Sequence, residues 1–283
     1  MASRFVWLSS AGGLVEADQA RIPVNDRGFL LGDGLFETTR VYRGRAPLLA
    51  YHLQRLHAGA QRLRIPIPWD LRAAAREVLE RVPVEHGVLR ITLTRGPGSR
   101  GYDPPPEANP TLLLQLEPLD PAVEPVDAFL CSLRRDPRSP AIGLKTISAL
   151  PLILAREEAR AAGCGEALLR DTEGNLAEGS ATNLFWVRGG VLYTPSLATG
   201  CLPGVARSLI LELARAQGIP VREVTVPVEA LREASEAFLT NAVRLVVPLR
   251  SVRLPDGTHI PLPPGGSLNE VFRAALWNRF FAG

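Results

Sequence analysis

The sequence has almost no lysine. Of its 32 basic residues only one, Lys145, is lysine, and all the others are arginine. A genome that favours arginine codons explains the skew but not why one lysine remains. Arginine stays protonated at any working pH, whereas lysine can lose its proton and attack a carbonyl carbon to form a Schiff base. Lys145 is therefore a candidate nucleophile, although a stray surface lysine would leave the same composition.

Cysteine and histidine are also scarce. The three cysteines, Cys131, Cys164 and Cys201, are odd in number and form no CxxC pair, which argues against a disulfide framework and against a zinc site. The four histidines lack the spacing of metal ligands. We therefore expect no metal centre.

Long runs of like charge and long apolar runs are missing as well. Acidic and basic residues are interleaved and the net charge is only +3, which argues against a nucleic-acid partner. The densest basic cluster, Arg134, Arg135 and Arg138, fits a solvated loop. No segment reaches the roughly 18 apolar residues of a membrane span, and the N-terminus has no apolar signal core. These absences predict a cytoplasmic protein without membrane contacts.

What the sequence does contain is an alternation of strand and helix patterns. Period-two alternation over residues 35–42 predicts a strand, and an apolar stripe over 47–64 predicts a helix. Asp70 is a predicted N-cap for a second helix that runs to Arg81. Further strands are predicted at 4–9, 88–95, 111–117, 128–133, 166–170, 183–187 and 221–226, and further helices at 151–162, 204–217 and 268–280.

This mixture predicts an α/β (mixed α+β) fold of two domains with mixed sheets. The stretch from Pro118 to Pro125 holds three prolines in eight residues, as expected of a semi-rigid linker. We therefore place a smaller N-terminal domain at 1–117, a linker at 118–126 and a larger C-terminal domain, which carries Lys145, at 127–283.

Four short motifs occur in a telling order. They are HLQRL at 52–56, GLK at 143–145, EGSATNLFWV at 178–187 and TGCLPGVAR at 199–207. Together they resemble the class IV aminotransferases, which are the fold-type IV pyridoxal-phosphate enzymes, over nearly the whole chain. The resemblance implies pyridoxal 5′-phosphate as cofactor, a small amino compound as substrate and a homodimer.

The resemblance also implies roles for individual residues. Lys145 would form the Schiff base and carry the substrate's Cα proton, and its apolar neighbours Ile142, Leu144 and Ile147 would favour the neutral amine. Glu178 would pair with the pyridine nitrogen. A solvated turn acid is the alternative for Glu178, but its position within EGSATN, just before an apolar strand, favours the functional role.

A second set of residues would bind the cofactor phosphate. Arg55 matches the family's phosphate arginine, although helix geometry alone would make it a solvated side chain. Gly204 opens a helix whose first amides can bind an anion, or is an ordinary helix-opening turn. The implied phosphate ligands are Arg55, Gly204, Val205, Ala206, Thr240 and Asn241.

Three details bear on the reaction. The loop TRGPGSRGYDP at 94–104 and the segment FLTNAV at 238–243 resemble aminodeoxychorismate lyases, whereas KTISALP after the lysine departs from them. Arg100 would bind a substrate carboxylate, and Tyr102 and Leu31 would line the pocket. We therefore predict a lyase of the folate pathway that converts 4-amino-4-deoxychorismate to 4-aminobenzoate and pyruvate. The alternatives are an aminotransferase for branched-chain or D-amino acids and, more distantly, a non-catalytic α/β binding protein.

Overall fold

A computed structural model describes residues 4–263 and 266–282. Contacts divide the chain into two units, Met1–Pro121 with Leu144–Ser148, and Ala122–Gly143 with Ala149–Gly283. The segment around Lys145 is thus grouped with the first unit, whereas the sequence analysis placed it in the C-terminal domain. The predicted domain boundaries stay a prediction.

The first unit is an antiparallel sheet with helices on one face. Its strands pair in the order β2-β1-β5-β4-β3. They are β1 (Phe5–Leu8), β2 (Gly13–Glu16), β3 (Gly34–Tyr42), β4 (His86–Thr94) and β5 (Thr111–Pro118), and the helices are α1 (Arg27–Leu31), α2 (Leu49–Leu63) and α3 (Leu71–Arg81). A 3₁₀ turn, Ser9–Ala11, links β1 and β2.

The core of this unit lies between β3–β5 and the two longer helices. The predicted stripe of α2 is buried through Leu53, Leu56 and Ala60, which pack in one cluster with Leu35 and Ile91 of the sheet. Asp70 caps α3 as predicted, since its side chain accepts hydrogen bonds from the amides of residues 72 and 73. Burial of this apolar stripe is what fixes α2 on the sheet.

Alternation along β3 sorts its side chains onto two faces. Leu35, Thr39 and Val41 are buried towards the helices, and Glu37 shares their face with only 2% of its surface exposed. Phe36 is on the opposite face and is half-buried. A single carboxylate therefore lies among the apolar side chains beneath α2.

The second unit is built on a larger mixed sheet. Its strands pair in the order β11-β10-β9-β12-β13-β6-β7-β8, with β14 beside β13. Strand β6 is parallel to β7 and β13, β10 is parallel to β11, and the other pairs are antiparallel. The strands are β6 (Val126–Arg135), β7 (Glu166–Asp171), β8 (Leu176–Gly179), β9 (Asn183–Arg188), β10 (Val191–Pro195), β11 (Val221–Val224), β12 (Glu236–Asn241), β13 (Leu245–Arg253) and β14 (His259–Pro261).

Three helices complete this unit, α4 (Leu150–Ala161), α5 (Val205–Ala216) and α6 (Ser267–Phe280), with 3₁₀ turns at Leu197–Thr199 and Val228–Glu233. In its core the rings of Phe185 and Phe238 stack, and the ring of Phe272 from α6 lies against Phe238 at a tilt. In the part of the chain that the structure describes, no helix combines the length and hydropathy that a membrane span requires.

One expectation about the charged residues is wrong. Arg135 does not lie in a solvated loop but ends strand β6, where it forms an ion pair with Glu178. The sequence pattern missed this because β6 continues two residues beyond the predicted strand at 128–133.

Candidate active site

Lys145 lies in the first unit, beside the edge strand of its sheet. Strand β3 is that edge, and its first residues pair with the lysine segment. The Phe36 amide donates to the Lys145 carbonyl (3.0 Å), and the Ile147 amide donates to the Gly34 carbonyl (3.1 Å). The lysine backbone is therefore fixed by the strand. Its side chain is half-buried, with Nζ 4.4 Å from the centre of the Phe36 ring.

Arg55 is held by the buried carboxylate of Glu37. Arg55 Nε and Nη2 donate to Glu37 Oε1 and Oε2, each at 2.7 Å, and His52 Nδ1 lies 2.7 Å from Oε2. The arginine side chain is only 16% exposed, so it is not a solvated residue. A bidentate contact of this kind fixes the plane of the guanidinium.

Electrostatics keeps this carboxylate charged. Burial alone would raise the pKa of Glu37, but hydrogen bonds from Arg55 and His52 outweigh burial and hold the pKa below its ordinary value of 4.5. The other ring nitrogen of the histidine, His52 Nε2, is buried without a hydrogen-bond partner among the described residues.

In the second unit, Glu178 is a buried strand residue rather than a turn acid. It belongs to β8, opposite Leu169 of β7, and its side chain is 8% exposed. Arg135 Nε lies 2.9 Å from Oε1, and the Leu202 amide donates to Oε2 at 2.9 Å. The carboxylate is therefore oriented by two donors on different segments.

Gly204 is the N-cap of α5, as predicted for the helix start. The cap has no side-chain hydrogen bond, and the amides of Val205 and Ala206 lie in the first turn, where no helix carbonyl can accept from them. A Cβ at residue 204 would lie 2.0 Å from Asn183 Oδ1, so a larger residue there would force the asparagine side chain or the helix start to shift. This is an ordinary anion-binding arrangement for a helix N-terminus.

Thr240 and Asn241 end strand β12 next to this helix start. The β12–β9 register places Thr240 opposite Asn183, whose side chain packs against Gly204. The Thr240 hydroxyl, however, donates to the Leu245 carbonyl, and Asn241 Oδ1 accepts from the Val243 and Arg244 amides. Their side chains thus close the β12–β13 turn. A phosphate role for these two residues would fall to their backbone.

The predicted substrate residues all lie in the first unit. Leu31 ends α1 and is 41% exposed, Tyr102 is 88% exposed, and Arg100 is exposed on the same loop as Tyr102. Their side chains are accessible, while the backbone of the loop is bonded to Arg27.

The sequence analysis missed several partners of the predicted residues. Glu37 could have been found, because a charged residue at a core-facing position of an alternating strand needs a partner. Arg135 and the Leu202 amide could not, since both meet Glu178 only through the folding of distant segments.

The chain is similar to proteins of a known enzyme family. A family profile described as amino-transferase class IV matches residues 34–252. A Methanocaldococcus jannaschii protein with a provisional assignment as a branched-chain-amino-acid aminotransferase is 35% identical, over 84% of this chain and 85% of its own. The aminodeoxychorismate lyase of Bacillus subtilis is 31% identical over 85% of both chains.

Solved structures of both enzyme types, aminotransferases and lyases, are similar to this chain. The branched-chain amino acid aminotransferase of Escherichia coli superposes with a TM-score of 0.88 at 27% identity, covering 99% of this chain and 95% of that one. The 4-amino-4-deoxychorismate lyase of Pseudomonas aeruginosa gives 0.81 at 34% identity, covering 96% and 98%. These matches confirm the predicted mixed α/β, fold-type IV architecture. The chain belongs to the class IV aminotransferase family, an enzyme family that depends on pyridoxal phosphate.

Proposed function

We propose that this protein is a pyridoxal-phosphate-dependent aminotransferase that acts on branched-chain amino acids. The sequence analysis favoured the lyase, but the comparisons support the aminotransferase better. The observation that carries the proposal is the likeness to the Escherichia coli branched-chain aminotransferase, which extends over 99% of the chain at a TM-score of 0.88.

The donor set of the chain fits the cofactor. Pyridoxal phosphate, when bound, supplies an aldehyde for attachment to an amine and a ring that withdraws electrons from the reacting carbon. Its dianionic phosphate needs N–H donors, and its ring nitrogen needs an acid. The chain offers a single lysine amine, a guanidinium of fixed orientation, a helix start whose cap, Gly204, has no side-chain hydrogen bond, and a buried oriented carboxylate.

In this proposal each residue has a definite task. Lys145 supplies the amine and moves the proton at the Cα atom of the substrate. Glu178 accepts the hydrogen bond of the ring N–H, and Arg135 with the Leu202 amide keeps its carboxylate in place. Arg55, oriented by Glu37, binds the phosphate.

The phosphate also receives backbone donors. The first-turn amides of Val205 and Ala206, opened by Gly204, are assigned to its oxygens. Residue 206 is alanine, so no hydroxyl adds to them. The backbone at Thr240 and Asn241 completes the phosphate site, since both side chains already have hydrogen-bond partners.

Substrate recognition is assigned to three residues of the first unit. Leu31 and Tyr102 present accessible apolar surface that suits a branched aliphatic side chain, and Arg100 suits its carboxylate. We further infer a homodimer, because apolar Val24, Phe29 and Leu30 of the same unit are 58–83% exposed. The cytoplasmic location stays a prediction.

The lyase is the second candidate, and one specific observation favours it. The loop at 94–104 resembles the lyase loop, and the Pseudomonas aeruginosa lyase has the higher sequence identity of the two structures compared, at 34%. Both reactions begin with removal of the same Cα proton, so the residues described above serve either.

A paired assay separates the two reactions. The cofactor-loaded protein is incubated with L-leucine, L-isoleucine, L-valine or D-alanine plus 2-oxoglutarate, and separately with 4-amino-4-deoxychorismate. We expect rapid 2-oxo acid formation from the L-branched-chain donors. Release of 4-aminobenzoate and pyruvate with no 2-oxo acid from any donor would overturn the aminotransferase proposal in favour of the lyase. The Lys145→Ala variant is the blank for both assays.

A further inference from the structure

Arg27 is a buried arginine that donates hydrogen bonds to the backbone of the loop that carries Arg100 and Tyr102. Its side chain is 5% exposed. Nη1 donates to the carbonyls of Gly101 and Asp103, both at 3.1 Å, and Nη2 donates to the carbonyl of Tyr102 at 3.0 Å. A single guanidinium that bonds three successive carbonyls fixes the conformation of that turn.

Asp33 holds Arg27 from the other side. Arg27 Nε donates to Asp33 Oδ2 at 2.9 Å, and Arg95 Nε donates to the same oxygen at 2.7 Å. Burial alone would raise the pKa of Asp33, but hydrogen bonds from Arg95 and Arg27 outweigh burial and lower the pKa. Arg95 also donates to the Leu63 carbonyl at the end of α2 (3.0 Å). Through Asp33 and Arg95, Arg27 is therefore connected to the end of α2.

Helix α1, which ends at Leu31, is held by residues next to Arg27. Asp26 is fully buried, caps α1 and accepts hydrogen bonds from the Thr94 and Thr111 hydroxyls at 2.8 and 2.7 Å. The Arg27 amide donates to the Gly96 carbonyl at 2.9 Å. The helix and the start of the loop therefore share one rigid support.

The path of the arginine side chain depends on Gly98. A Cβ at residue 98 would lie 2.6 Å from Arg27 Cδ and 3.0 Å from Cγ. Any larger residue there would force the Arg27 side chain or the loop itself to shift, which would disturb the bonds to the three carbonyls. Gly98 has no left-handed backbone angle, so alanine is allowed by the backbone.

We propose that Arg27 is a positioning residue for substrate recognition, which holds the 98–103 loop so that Arg100 and Tyr102 meet the amino substrate in a fixed geometry. The inference rests on the proposed function, because that function assigns the two side chains to the substrate. Its physical basis is preorganisation: a loop that is rigid before binding loses less conformational entropy when the substrate binds.

Limited proteolysis tests the clamp, that is, the hold of Arg27 on the 98–103 loop, without any need for activity. Trypsin can cut after Arg100, and mass spectrometry measures the rate of that one cut. In Arg27→Gln the cut should be at least about tenfold faster, the change expected from loss of one charge-assisted hydrogen bond. Gly98→Ala should act in the same direction while keeping the arginine, and Arg27→Lys should be intermediate. Arg279→Gln removes an exposed ion-paired arginine of the second unit and is the matched control.

Kinetics tests the link to the substrate. With cofactor bound, Arg27→Gln and Gly98→Ala should raise KM for the amino donor about tenfold and leave kcat within about twofold. The variants weaken contacts that bind the substrate, but they do not alter the residue that transfers the proton. The visible absorbance of the bound cofactor should equal that of Arg279→Gln. A merely structural role would lower kcat and cofactor occupancy together.

The outcomes are separable. An unchanged rate of cutting after Arg100 in folded Gly98→Ala and Arg27→Lys overturns the clamp, even where Arg27→Gln does not fold. Faster cutting with unchanged KM overturns the role in recognition and leaves the proposed function intact. Failure of the unaltered protein to bind the cofactor overturns the proposed function. The proteolysis result still decides whether Arg27 holds the 98–103 loop.

Discussion

One buried carboxylate determines what Arg55 can do. On a helix surface an arginine is a mobile cation, but the bidentate contact with Glu37 gives this guanidinium a fixed plane. The sequence supplied the arginine and its helix. The alternation of β3 marks Glu37 as a charged residue that needs a partner, but its pairing with Arg55, 18 residues away along the chain, forms only when α2 packs on β3.

Replacing Glu37 by glutamine tests this pairing. The variant removes the charge but keeps the shape, so Arg55 and His52 lose their common anionic partner. We expect the free energy of unfolding to fall by about 1–3 kcal/mol and cofactor affinity to fall several-fold. Urea unfolding and a cofactor titration measure the two effects. Arg72→Gln, on an exposed part of α3, is the control; an equal effect there would contradict a specific role for Glu37.

The lowered pKa of Glu37 gives this variant a pH signature. Because the folded-state pKa lies below the ordinary 4.5, the contribution of Glu37 to stability is full above that pH and is lost as the pH falls through the folded-state pKa. The difference in unfolding free energy between the parent and Glu37→Gln should therefore shrink as the pH falls below about 4.5. A difference that stays constant or grows in acid would refute the assignment.

The cysteines make a second prediction at the residue scale. Burial raises the pKa of the Cys131 thiol to about 12 and that of Cys201 to about 11, which leaves very little thiolate near neutral pH. Iodoacetamide at pH 8 should label the native protein far more slowly than the urea-unfolded protein, in which all three cysteines react. Equal native and unfolded rates at Cys131 would show that the thiol is accessible.

At the scale of elements, strongly periodic segments were predictable, whereas helix α1 and strand β8 were not. The stripe of α2 and the alternation of β3 each repeat often enough to identify the element. Helix α1 is only five residues long and largely apolar, and what stabilises it is the Asp26 cap together with distant threonines. Strand β8, which carries Glu178, has four residues and depends on β7 for its hydrogen bonds.

The start of α5 offers a test at this scale. Gly204→Ala would place a Cβ against Asn183 Oδ1, so the helix start or the asparagine must shift. We expect cofactor affinity to fall about tenfold or more, measured by fluorescence titration. The double variant with Asn183→Ala relieves the clash and should recover part of the affinity. Unchanged affinity in Gly204→Ala would remove this helix start from the phosphate site.

At the scale of the whole molecule, the order of four motifs was enough to predict the family and the fold class. The reaction was harder, because the residues assigned to the substrate lie on an exposed loop and at the end of a short helix. Loops carry specificity and vary more than the frame that supports them. The early chemistry is also common to both reactions, so the residues around Lys145 do not separate a lyase from an aminotransferase.

The central claim is that Lys145 holds pyridoxal phosphate, and the composition makes it directly testable. Lys145 carries the only side-chain amine of the chain. Borohydride reduction of the cofactor-loaded protein should attach one reduced cofactor, and peptide mass spectrometry should find it on Lys145 alone. Lys145→Ala should acquire none and should be colourless. A cofactor attached at the N-terminal amine instead, or a yellow band that persists in Lys145→Ala, would contradict the account.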